Sequence, residues 1–93
     1  MAKRGPRYSK EEFARRGDEV YETKVKPHLK KRDKGRFVAV DIESGEWEIS
    51  DDEMEVIKLL YSRLADPQPW MVRVGSPYLR SYGGRGLSSG QSP

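Results

Sequence analysis

The sequence predicts an α+β domain, a two-layer sandwich with the element order α-β-β-α-β. Two capping signatures, SKEE at residues 9–12 and SDDE at 50–53, each precede an apolar stripe of helical period. Three short runs, RFVAVDI (36–42), EWEI (46–49) and WMVRV (70–74), read as strands. Ser44-Gly45, between the first two runs, supplies a turn and makes them a β-hairpin.

The first helix begins at Ser9, whose hydroxyl can accept the backbone N–H of Glu12 while the Glu12 side chain returns the bond. Phe13, Gly17, Val20, Tyr21 and Val25 recur at three- and four-residue spacing and mark its buried side. Gly17 costs ~1 kcal/mol relative to Ala in a helix interior, so its position signals a bend or a close contact. Pro27 ends the helix near Lys24 to Lys26, because its ring clashes with the preceding turn and it has no N–H to donate. Lysines in that last turn complement the negative end of the helix dipole.

The connector LKKRDKGR, residues 29–36, is basic and carries a Lys-Gly turn. Ser50 opens the second helix, with Asp51, Asp52 and Glu53 in the first turn, where the dipole favours acids. Its apolar stripe is Met54, Ile57, Leu60, Tyr61 and Leu64. Asp66-Pro67-Gln68-Pro69 is a rigid loop, and Gly75 stops the third strand.

A helix between strands two and three is a crossover, so those strands run in the same direction. Strand one is the most apolar of the three and belongs in the middle, antiparallel to both neighbours. Both helices are then expected on one face of a three-stranded sheet. Side chains alternate along a strand, so Val38, Val40 and Ile42 face the helices. Phe37, Ala39, Asp41 and Glu43 face the other way. Residues 1–7 read as a disordered basic arm and 8–75 as the single domain. Residues 76–93, with eleven Gly, Ser or Pro among eighteen, read as a disordered tail.

Composition narrows the function classes. The chain has no cysteine, which excludes disulfides, thiolate metal sites and a cysteine nucleophile. No window approaches the ~20 apolar residues of a membrane span, and the basic N-terminus lacks the apolar run of a secretory signal. The expectation is a cytoplasmic protein that makes no membrane contact. Net charge is +3 but unevenly spread. Residues 1–36 hold thirteen Lys/Arg against six Asp/Glu, residues 37–66 hold two against nine, and residues 67–93 hold three against none. A basic arm followed by an acidic centre suits either self-neutralisation or two surfaces with different partners.

The stretch FVAVDIESG resembles the first motif of DEDD-type 3′–5′ exonucleases, in which a first-strand Asp-x-Glu binds two metals. The resemblance covers nine residues, and it implies a metal-dependent hydrolase at Asp41 and Glu43. Two-metal chemistry needs several carboxylates converging on ions ~3.5–4 Å apart, and the remaining acids of this chain have simpler explanations. His28 is alone and precedes the strand. No Gly-rich phosphate loop opens a helix. The sequence therefore implies no catalytic residue, no resident metal and no cofactor.

A wider resemblance rests on YSKEEFARRGDEVYE, then GRFVAVDIESGEWEISDDE, then WMVRVG. Together these resemble a group of short bacterial proteins without assigned activity, common in cyanobacteria. That resemblance implies the domain limits, a bacterial cytoplasmic setting and small-module or antitoxin-like roles.

Three function classes follow. The first is a protein-interaction module, antitoxin-like or an accessory subunit, that meets another protein or a second copy of itself. Its contact would be the uncovered sheet face, with Phe37, Asp41, Glu43, Glu46, Met71 and Arg73. The second is a nucleic-acid-binding protein using the basic loop Lys30, Lys31, Arg32, Lys34 and Arg36, with Arg15, Arg16, Lys24 and Lys26 adding charge nearby and Arg80, Tyr82 and Arg85 in the tail. The third is the metal-dependent hydrolase at Asp41 and Glu43.

Overall fold

The apolar run FVAV occupies the middle of the sheet. A computed structural model of the chain describes residues 8–76 and 80–82. Strands β1 (Phe37–Asp41), β2 (Trp47–Ser50), β3 (Pro69–Arg73) and β4 (Arg80–Tyr82) form one sheet in the order β2-β1-β3-β4. Every neighbouring pair is antiparallel. Val38 pairs with Ile49 on one side and Val72 on the other, and Ala39 with Glu48 and Met71. Helix α1 spans Lys10–Val20 and helix α2 spans Glu53–Arg63. The α+β class and the central β1, antiparallel to both β2 and β3, agree with the sequence prediction.

The layering differs from expectation. The two helices lie on opposite faces of the sheet, so the architecture has three layers. One face carries Val38, Val40, Ile42, Trp70 and Val72 under Phe13, Tyr21 and Val25 from the first helical segment. The other carries Ala39 and Met71 under Val56 and Leu60 of α2. The cause lies in β1 and β3 themselves. FVAV and WMV are continuous apolar runs, so alternation puts apolar side chains on both faces, and both faces need a cover. Val25, Val38, Val40, Val56, Leu60 and Val72 are each fully buried. Each such burial stabilises the fold by about 1.5–3 kcal/mol.

The sheet also extends further than the sequence suggested. β4 adds residues 80–82 as an edge strand, with Met71 opposite Ser81, inside the stretch expected to be disordered. The basic arm 1–7 and residues 83–93, including Arg85, lie outside the described residues.

The helical segment does not simply stop at Pro27. α1 runs into a π turn at Tyr21–Val25, then a 3-10 turn at Lys26–His28. The buried positions Phe13, Gly17, Tyr21 and Val25 repeat every fourth residue. In an α-helix such a stripe drifts about 40° per step, since four residues exceed one 3.6-residue turn. The wider π turn absorbs that drift and keeps both Tyr21 and Val25 on the sheet. A second 3-10 turn, Lys31–Asp33, then leads into β1. At the other helix, Asp52 is the N-cap, accepting the Glu55 N–H at 2.8 Å. Ser50, the expected cap, instead ends β2. The apolar stripe of α2 is centred on Val56 and Leu60, while Met54 is 56 % exposed.

Among the described residues no helix is long and apolar enough to cross a membrane.

Candidate functional site

The six residues expected on an open sheet face do not form one. Met71 is buried beneath α2, and Phe37 packs at the edge of the same cluster. Asp41 is also buried. Its Oδ1 accepts the backbone N–H of Gln68 at 2.8 Å and of Glu43 at 3.3 Å. Its Oδ2 accepts the Ser44 N–H at 3.2 Å and the Ser44 hydroxyl at 2.7 Å. The carboxylate thus ties the β1–β2 turn to the segment entering β3. Gly45, at φ 83°, closes the turn by donating to the Asp41 carbonyl at 2.8 Å.

Glu43 turns away from Asp41 and accepts the Tyr8 hydroxyl at 3.0 Å. The two carboxylates therefore do not converge on one point. Among the described residues no three His, Asp or Glu side chains form a group that could hold a metal ion. Glu46 pairs with Arg63 of α2 at 3.0 Å, and Glu48 with the same guanidinium at 2.7 Å.

Arg73 shares a sheet face with Asp41, as the alternation requires, but sits at the opposite end of the strand. It lies opposite Phe37, whereas Asp41 lies opposite Pro69. Four residues of β-strand separate those ends by about 13 Å. The guanidinium instead sits 5.4 Å from the centroid of the Phe37 ring and donates to the Gly35 carbonyl at 3.2 Å. Arg73 therefore makes a cation–π contact with Phe37 and not an ion pair with Asp41.

The basic connector does form a site. A cleft of about 740 Å³ opens between the π turn, the connector and the end of β3. Tyr21, Leu29 and Val74 give it an apolar floor, and Lys26, Lys30, Lys31 and Lys34 stand around it with one acid, Glu22. Its walls are fastened to the sheet: Gly35 N–H donates to the Val74 carbonyl at 2.9 Å, and Val74 N–H to the Arg36 carbonyl at 2.8 Å. Gly75, at φ 83°, lets the Lys34 stem cross directly over the backbone; a Cβ there would crowd Lys34 Cγ.

Asp33 holds the connector in shape. Its Oδ2 accepts the Lys30 backbone N–H at 2.8 Å, and its Oδ1 meets Arg36 at 3.3 Å. The Lys30 N–H, assisted by the Arg36 guanidinium, draws the Asp33 carboxyl below its ordinary pKa against the opposing effect of desolvation. Arg36 also reaches Asp51 at 2.8 Å, and bonds to Asp51 first and Asp33 second raise its own pKa.

The cations of the described residues divide into two kinds. Arg15 and Arg16 are both bonded to Glu12, at 2.6 and 2.7 Å, and Arg36 is shared between two aspartates. Among the described residues Lys30, Lys31 and Lys34 have no ion-pair partner. Lys26 has one exposed contact, to Glu22 at 3.3 Å. Such an exposed pair contributes little.

Of the five connector residues singled out in the sequence, Lys30, Lys31 and Lys34 line the cleft, while Arg32 is exposed outside it and Arg36 is committed to Asp33 and Asp51. Lys26 joins the cleft from before Pro27. The sequence signal for it was its charge beside the basic loop; its place on the cleft comes from the 3-10 turn at Lys26–His28. Beside the cleft, the His28 ring stands 6.2 Å from the Trp47 ring, centroid to centroid, with 33° between their planes.

Comparison with protein-family models, with curated proteins and with solved structures found no match.

Proposed function

We propose that the protein binds nucleic acid, taking the phosphate backbone on Lys26, Lys30, Lys31 and Lys34. The observation that carries this reading is the selective pairing around the connector. Carboxylates engage Arg36, while among the described residues Lys30, Lys31 and Lys34 line one cleft without an ion-pair partner. Clustered like charge repels itself, and an incoming polyanion relieves that repulsion. Phosphates release condensed counterions when lysines neutralise them, which supplies sequence-independent affinity. The reading assigns no catalytic residue.

The alternative of a protein partner on an open sheet face loses its premise, because α2 occupies that face. An acidic protein could still meet the lysines, and the test separates the two. Fluorescence anisotropy of a labelled oligonucleotide is measured with the full chain at stepped KCl concentrations. Four phosphate contacts give a slope of log K against log salt of about −3 for a single strand. Lys30→Glu with Lys31→Glu should abolish binding while leaving thermal stability unchanged, since both side chains are exposed. No binding at low salt, or displacement by polyglutamate with none by unlabelled oligonucleotide, would overturn the reading.

A further inference from the structure

We infer that the nucleic acid taken by this cleft is single-stranded, with a base laid against the His28–Trp47 ring pair; this rests on the nucleic-acid reading above. A ring pair at a surface offers π-faces, and every nucleobase has a complementary one. His28 is exposed, and Trp47, on the edge strand β2, is partly buried against the core beneath α1. The two rings stand 6.2 Å apart, centroid to centroid, and are tilted by 33°. A ring pair of this kind keeps outer faces on which a third ring can stack.

The placement of charge around the rings points the same way. His28 lies two residues from Lys26 and two from Lys30, and both lysines line the cleft. Two residues of chain span at most about 7 Å, so phosphate contacts and the ring pair lie within one short stretch of strand. On the other side, the Lys24 stem crosses Gly45, with its Cγ and Cε 3.8 Å from where a Cβ would stand. Gly45 is two residues before Trp47. Lys24, Lys26 and Lys30 are thus all within a few residues of the ring pair or of its neighbour Gly45.

A duplex cannot use this arrangement. Its bases are already stacked and paired, so no base face is free to lie on the rings, and contact falls to the phosphates and groove edges. The other tryptophan is a built-in control. Trp70 is buried, and its indole N–H is bonded to Asp18 at 3.0 Å, so it does not meet a ligand.

The experiment is a tryptophan-fluorescence titration of the full chain with a single-stranded oligonucleotide and, separately, with the duplex of the same length. The single strand should quench Trp47 emission, and Trp47→Leu should remove the quenching. The duplex should bind more weakly and quench less. A stacked base contributes about 1–3 kcal/mol, so His28→Ala should weaken single-strand binding at least about five-fold while leaving duplex binding unchanged. His28 is exposed, and this variant keeps the fold if Trp47→Leu does not. Salt-dependent binding with no quenching, or equal affinity for duplex and single strand, would overturn the inference and leave the phosphate reading standing. Absence of any binding at low salt would remove both.

Discussion

The indole N–H of Trp70 donates to Asp18 at 3.0 Å across the gap between β3 and α1. The helix comes close enough for this bond because its neighbour at position 17 is glycine. A Cβ on Gly17 would collide with the Trp70 indole ring. Phe13, one turn earlier, meets the same indole at 5.9 Å between ring centroids. One tryptophan is thus clasped by a small, an acidic and an aromatic residue of one helix, which fixes how α1 and the π turn lie on the sheet. The cleft lysines follow directly after that turn.

Gly17→Ala tests the clasp. On an exposed helix the substitution would stabilise by ~1 kcal/mol. Here the added methyl group has no space, and overpacking costs about 1–3 kcal/mol. Thermal unfolding should show a lower Tm, by about 4–8 °C for each kcal/mol in a domain this size. An unchanged or higher Tm would mean that α1 does not approach β3 this closely.

Asp41→Asn tests whether the hairpin carboxylate is structural. The amide keeps the shape but turns one acceptor into a donor that faces the Ser44 N–H. Hydrogen bonds to charged groups contribute about 1.5–3 kcal/mol each, and a loss of that size is expected in denaturant unfolding. Added Mg²⁺ or Mn²⁺ should leave the Tm of the wild-type protein unchanged. A metal-induced rise in Tm that Asp41→Asn abolishes would restore the metal reading of this residue.

Acid should loosen the connector. The folded-state pKa of Asp33 is lowered, chiefly by the Lys30 backbone N–H. A carboxyl with a lowered folded pKa stabilises the fold above its unfolded value. That contribution is lost as pH falls through the ordinary carboxylate range toward the folded value. Glu12, lowered by its bonds to Arg15 and then Arg16, acts in the same direction from an exposed position, where screening weakens the effect. Stability measured from pH 7 downward should decline over that range, and Asp33→Asn should make the decline shallower. An identical acid slope in the variant would show that Asp33 does not hold the connector.

Much of the fold was legible in local pattern. Ser9 caps α1 through the Glu12 N–H at 3.1 Å, and the antiparallel place of β1 followed from its apolarity and the crossover. What failed was a question of faces. FVAV and WMV were read by strict alternation as one buried side and one open side, although a continuous apolar run signals burial on both. That single step moved α2 to the wrong layer and made Met71 look like a surface residue. The cap of α2 shifted from Ser50 to Asp52 because SDDE offers several acceptors in a row, and tertiary contacts decide among them. Ser50 instead bonds Glu55 through its hydroxyl at 3.1 Å.

The site was legible in charge but not in pairing. Sequence shows that residues 30–36 are basic. Only the fold shows that Arg36 is neutralised by Asp51, fifteen residues away, and that Lys26 joins Lys30, Lys31 and Lys34. The His28–Trp47 contact joins a connector to an edge strand across nineteen residues of sequence, which no local spacing reveals.

The most direct test of the central claim is to map amide chemical shifts of the isotopically labelled full chain during titration with a short single-stranded oligonucleotide. Binding at the lysine cleft should move the amides of residues 24–36 and 74–76, with those of α2 unmoved. Perturbations confined to α2, or none at low salt, would contradict the account.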